Sequence, residues 1–160
     1  AHAEAKAKIS AATQWMRDLA EDKPNVDVQA QEAGTTLRLA ASEGYADAVE
    51  VLLEAKVNVD MQDTDGLAAL SCAACMGRNA PEVVQRLLEA RANVDLVDQQ
   101  GWTALSYAAS KGHGEVVQQL LEAKANVNLQ TLRGRTAVST AAKKGHVEVV
   151  QRLLEAKANV

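Results

Sequence analysis

Gly101-Trp102-Thr103-Ala104-Leu105-Ser106-Tyr107-Ala108-Ala109-Ser110-Lys111-Gly112-His113, continued by Val116-Val117 and Leu120-Leu121, decides how the chain folds. Leu105, Ala108 and Ala109 recur at i, i+3 and i+4, which is one face of a helix. Val116, Val117, Leu120 and Leu121 recur at i, i+1, i+4 and i+5 and mark a second helix. Gly112 stands between the two and Gly101 before the first, both where a turn needs positive φ or a close backbone approach.

The same arrangement returns three more times. The first helix carries Leu37/Ala40/Ala41, Leu70/Ala73/Ala74 and Val138/Ala141/Ala142, and alanine on that face lets neighbouring helices approach closely. The second carries Ala48-Val49/Leu52-Leu53, Val83-Val84/Leu87-Leu88 and Val149-Val150/Leu153-Leu154. A short phrase closes each unit: Pro24-Asn25-Val26, Val57-Asn58-Val59, Ala92-Asn93-Val94, Ala125-Asn126-Val127 and Ala158-Asn159-Val160, at steps of 33, 35, 33 and 33 residues. A fixed period of this size marks a solenoid, in which each unit buries its apolar face only against its neighbours. At about 1.5–3 kcal/mol per fully buried Val or Leu, the Val and Leu pairs hold such a stack without a central core.

The bulk numbers agree. The chain has 160 residues, a net charge of −4, 2 % aromatic residues and no Phe, so the core is built from Ala, Val and Leu. Its apolar runs are a few residues long, far short of the roughly 18 needed to span a bilayer, and the negative charge argues against nucleic acid or an anionic membrane surface as the general partner. Cys72 and Cys75 are the two cysteines and no Asn-x-Ser/Thr sequon occurs, which points to an intracellular, reducing compartment, the cytosol first. The Ala-rich start lacks the apolar core of a secretory signal and carries Glu4 and Asp18, unlike a transit peptide. Ile9, Ala12, Trp15, Met16 and Leu19 instead form one apolar helical stripe that would lid the first unit.

The quoted stretch, with its two glycines, Ala-Ala, Val-Val and Leu-Leu in register, resembles an ankyrin repeat, and the match covers about residues 30 to 160. The resemblance implies an all-α repeat solenoid, a stack of helix-turn-helix units joined by β-hairpin loops. Residues 1–29 read as an N-terminal capping helix or partial repeat; the repeats are 30–62, 63–97 with a two-residue insertion, 98–130 and 131–160, the last lacking a C-terminal cap. Val149, Val150, Leu153 and Leu154 are then left for further repeats or another subunit to cover.

Departures from the family pattern carry information. Its Thr-Pro-Leu-His start stands here as Thr35-Thr36-Leu37-Arg38, Ala68-Ala69-Leu70-Ser71, Thr103-Ala104-Leu105-Ser106 and Thr136-Ala137-Val138-Ser139, so hydrogen bonds between repeats fall to Ser or are lost. Lys56, Arg91, Lys124 and Lys157 replace the glycine after the second helix, where a left-handed residue costs about 1–2 kcal/mol. The insertion falls in Gly77-Arg78-Asn79-Ala80-Pro81-Glu82, with Pro81 suited to a first helical turn.

Catalytic chemistry is not legible. No Gly-rich phosphate loop, His-Glu-x-x-His or Gly-x-Ser-x-Gly occurs, and Cys72-x-x-Cys75 has no second ligand pair for zinc. By register Cys72 faces the core and Cys75 the surface, while His113 and His146 read as turn residues. Glu54, Glu89, Glu122 and Glu155 recur on a solvated helix face. No catalytic, cofactor or metal residue is assigned.

The reading that remains is recognition of a protein partner, without chemistry, through hairpin tips and the concave face of the first helices. The family's variable slots fall on Gln31, Glu32, Gly34, Ser42 and Glu43 in the first repeat and on Thr64, Asp65, Leu67, Cys75 and Met76 in the second. In the third they are Gln99, Gln100, Trp102, Ser110 and Lys111, and in the fourth Leu132, Arg133, Arg135, Lys143 and Lys144. From these the candidate binding residues are Asp65, Leu67, Met76, Gln99, Gln100, Trp102, Lys111, Arg133, Arg135, Lys143 and Lys144, with Trp102 either an exposed anchor or packed on the neighbouring hairpin. Charge runs along the stack: residues 30–62 carry −4, 63–97 carry −2, 98–130 carry −1 and 131–160 carry +4. Alternative readings are a permanent structural subunit of a larger assembly, or the recruiting arm of a larger protein.

Overall fold

In a computed structural model of the chain, the described residues are 3, 4, 6, 7, 9–11, 14, 26–77 and 79–158, with backbone alone for 26–29. Helices follow one another as α1 (Val26–Glu43), α2 (Ala46–Glu54), α3 (Ala69–Met76), α4 (Ala80–Glu89), α5 (Ala104–Lys111), α6 (Gly114–Glu122), α7 (Ala137–Lys144) and α8 (Val147–Glu155). Odd-numbered helices pack on one another in one layer and even-numbered helices in a second, and the two helices of each unit pack across the layers, so each unit touches itself and its neighbours in the stack.

The alternation of small and branched residues sets this geometry. Ala40, Ala73, Ala74, Ala108, Ala109 and Ala141 are buried between successive first helices, and Val49, Leu52, Val83, Leu87, Val116, Leu120, Val149 and Leu153 fill the second layer. Ile9 joins the same core at 3 % exposure. Ala12, Trp15, Met16 and Leu19 of that stripe lie outside the described residues.

The three middle Asn-Val phrases are hydrogen-bonding devices. The side-chain Oδ1 of Asn58, Asn93 and Asn126 accepts from the backbone N–H two residues on, an Asx turn. The residue there then reaches the next unit: Asp60 Oδ1 accepts from Asn93 N at 2.8 Å, and Asp95 Oδ1 from Asn126 N at 2.8 Å. Lys56, Arg91, Lys124 and Lys157 sit at φ between 61° and 65°, the left-handed conformation expected of a slot where glycine is absent.

Two expectations are corrected. Repeat one has no tip turn; α1 runs straight through Gln31, Glu32 and Gly34. The other tips open on Asp63, Asp98 or Thr131 and turn at Gly66, Gly101 or Gly134, whereas the same slots hold Ala30 and Ala33, which offer neither a side-chain acceptor nor easy positive φ. Gly34 is instead a place of close approach, where a Cβ would collide with Met61 Sδ. Cys72 and Cys75 do not divide into core and surface: both are half-buried.

Thr103 caps α5 by accepting from Ser106 N, and Thr136 and Ser139 form a reciprocal capping box on α7. Ala68 before α3 has no side chain able to do so. Around the insertion, Gly77 ends α3 in the left-handed conformation, Asn79 turns the chain at φ 45° and Pro81 sits in the first turn of α4. The Asn79 amide donates to Gly44 O at 3.3 Å and Glu82 Oε2 at 3.0 Å. That bond, then one from Arg86, holds the Glu82 carboxyl below the usual range. His146 Nε2 lies 3.1 Å from Ser110 O of the preceding unit, but His113, facing the inserted turn, keeps a buried Nε2 without a partner among the described residues.

Candidate functional site: the tip row and the concave helix face

The tips are rigid because their backbone is satisfied twice over. Asp63 N donates to Leu67 O and Asp98 N to Trp102 O, both at 3.0 Å, and Thr131 N donates to Arg135 O at 2.9 Å, closing each turn. Asp63 Oδ1 accepts from Asp65 N and Leu67 N, and Asp98 Oδ1 accepts from Gln100 N and Trp102 N. Successive tips are tied by Gln99 N to Asp65 O at 3.0 Å and Leu132 N to Gln100 O at 2.9 Å. The result is one continuous edge of turns. Among the described residues none of it is assigned as strand.

Gly66 is demanded by that edge. Its φ is 83°, and a Cβ there would stand 2.9 Å from Asp98 Cα and Gln99 N of the next tip. Gly134 occupies the same slot in the last tip and has nothing within 4 Å.

The side chains proposed for binding lie where the register puts them. Asp65, Gln99, Gln100 and Arg133 project from the tips and are exposed; Leu67 and Arg135 are half-buried at the feet of the tips. Met76, Lys111, Lys143 and Lys144 are exposed at the far ends of α3, α5 and α7. Leu132, at the crest of the last tip, is 74 % exposed. Of the two readings of Trp102, packing is closer, although onto Tyr107 of its own unit: it is half-buried, with ring centroids 5.1 Å apart at 34°. Tyr107 Oη in turn donates to Asp98 Oδ2 at 2.5 Å. Burial, and then this hydrogen bond, holds the Tyr107 phenol well above its ordinary value.

The Trp102–Tyr107–Asp98 cluster was not legible in the sequence as a unit. Tyr107 sits at a slot held by Leu39, Cys72 and Thr140 in the other repeats, and that variation was the available signal. Beside it Cys72 is an inert thiol. Burial, and after it the Asp63 carboxylate, pushes it up to about 11.

Among the described residues, no group of three or more His, Cys, Asp or Glu side chains is placed to share a metal ion, and no helix is long and apolar enough to cross a membrane. A cleft of about 480 Å³ opens elsewhere, between Lys6, Ile9 and Ser10 and the Tyr45–Asp47 turn. It faces the turns between helices, away from the tips.

A family model described as ankyrin repeats in three copies matches residues 8–90 and 74–160, which is nearly the whole chain.

Proposed function

Since the chain belongs to the ankyrin-repeat family, whose members are generally protein–protein interaction modules, we propose that it is a non-catalytic scaffold that holds a protein partner along its tip row and concave helix face. One observation carries this reading. The buried layers repeat Ala, Leu and Val from unit to unit, while the rigid outward row changes in every unit, as Thr64-Asp65, Gln99-Gln100 and Leu132-Arg133 at the tips. A surface that varies on an invariant frame is how one fold presents different specificities. The two unpaired thiols support an intracellular, reducing site of action.

The test is native capture from cell extract on the immobilised intact chain and on a Gln99→Ala/Gln100→Ala/Trp102→Ala variant whose melting is matched by circular dichroism. A defined protein set retained at least about tenfold less by the variant is the expected result. Equal retention rejects the reading. A permanent structural subunit is the second reading, favoured by the exposure of Val147 (67 %) and Leu154 (43 %) on the last unit. In that case Val147→Glu and Leu154→Glu, not the tip substitutions, abolish co-purification.

A further inference from the structure

We infer that the face formed by α7 and the tip before it docks an acidic, extended peptide segment of the partner, with an apolar residue of that segment seated against Leu132. This rests on the protein-binding reading and names the chemistry of the partner.

Cations first. Arg38, Arg86 and Arg152 each pair with a carboxylate. Lys111, Arg133, Arg135, Lys143 and Lys144 form no ion pair among the described residues. The nearest carboxylates do not neutralise them: between residues 99 and 147 the acidic residues are Glu115 and Glu122, both on α6 in the second-helix layer and in no ion pair among the described residues, and Glu148, four residues after Lys144, is held by Arg152. Asp98 is consumed by its own tip and by Tyr107.

Helix energetics do not account for the arrangement. Lys143 and Lys144 lie in the last turn of α7, where a cation favours the helix dipole. Arg133 and Arg135 lie just before its N-cap, Thr136, where a cation opposes the same dipole. The two arginines thus stand where they weaken the helix slightly and gain no ion-pair partner among the described residues. An external anion is the counterpart that makes such a placement favourable.

Dimensions select the anion. α7 has eight residues, about 12 Å of axis, with positive charge at both ends. An extended chain covers that distance in about four residues, so carboxylates about four positions apart engage both ends at once. Leu132 is 74 % exposed beside the arginines, and its N–H is bonded to Gln100 O, which brings it alongside the tip that carries Trp102. A partly apolar, acid-rich segment fits this face.

The probe is a labelled peptide of about a dozen residues, with Glu spaced to recur about every fourth position around a central Leu, and its Gln-for-Glu counterpart. By fluorescence anisotropy the Glu peptide binds at low salt and weakens about tenfold or more between roughly 50 and 200 mM salt, and the Gln peptide binds at least about tenfold more weakly. Arg133→Gln/Arg135→Gln and Lys143→Gln/Lys144→Gln each reduce affinity about tenfold. The arginine variant melts no lower than the parent, which separates lost binding from lost folding. Indistinguishable Glu and Gln peptides, or binding unmoved by the four substitutions, overturns the inference. So does tighter binding of oligo-dT or phosphatidylserine vesicles through the same residues, or self-association on sedimentation that these substitutions abolish. If the peptides fail while capture from extract still depends on Gln99, Gln100 and Trp102, the inference falls and the scaffold reading stands; if capture fails as well, the reading falls with it.

Discussion

Lys124 shows what a single residue concedes to the repeat. At φ 65° its Cβ crowds the following carbonyl, a strain that glycine would not carry, and its charge at the end of α6 offsets only part of that. Lys124→Gly is expected to gain about 0.5–1 kcal/mol, read as a rise in Tm. Glycine at the tips runs the other way. Gly66→Ala must both hold positive φ and displace the Asp98–Gln99 backbone, whereas Gly134→Ala meets only the conformational term, so the first substitution is expected to lower Tm more than the second. Cys72 supplies a pH dependence. Its thiol is raised from 9.0 to about 11, so the folded state holds that proton more tightly than the unfolded chain does. The stabilisation is complete below about pH 9 and is lost as pH climbs through 11, about 2–3 kcal/mol. Denaturant midpoints should therefore fall across that window in the parent and fall less in Cys72→Ala.

The elements show which parts of the chain were legible and why. Spacing of Leu105, Ala108, Ala109 and of Val116, Val117, Leu120, Leu121 placed α5 and α6 correctly, because period 3.6 is enforced by burial on both neighbours. It misled at the first repeat, where the Asn25-Val26 phrase suggested a loop and the chain is helix from Val26. The phrase makes a loop only in company with a tip acceptor and glycine, as at Asp63 and Gly66, and Ala30 and Ala33 supply neither. Register alone leaves Trp102 open between exposed and packed, because it cannot show Tyr107 standing beside it. The candidate row was legible as positions and as a run of charge along the stack, but not in which of its cations lack a carboxylate partner, since ion pairing depends on which side chains meet in space. Capping gives the element-scale prediction. α3 begins at Ala68 without a side-chain cap, while Thr103 and Thr136 cap the equivalent helices and Ser71 already occupies the position of Ser106 and Ser139. Ala68→Thr is expected to add up to about 1 kcal/mol, measured by chemical denaturation.

At the scale of the whole molecule the stack is one-dimensional, and its stability is a sum of units and interfaces. A substitution therefore costs according to how many neighbours share it. Leu87 and Leu153 are both fully buried at the same slot of their second helices, but Leu87 lies on α4, packed between α2 and α6, whereas α8 packs on α6 from one side in the second layer. Leu87→Ala leaves a void that three units feel, at about 2–5 kcal/mol, and interrupts coupling between the two halves of the stack. Leu153→Ala removes the same atoms where fewer surroundings hold the cavity open, and its cost falls on the last unit. Hydrogen exchange read by mass spectrometry separates the two. Leu87→Ala should raise exchange in α2, α4 and α6 together, while Leu153→Ala should raise it in α7 and α8 and leave α3 and α5 protected. Uniform loss of protection in both variants would mean that the chain folds as a single cooperative body. The basic face on α7 would then share the stability of the whole stack, whereas in a stepwise array it is carried by the unit easiest to open, and binding an acidic segment there would slow exchange in α7 and α8 first.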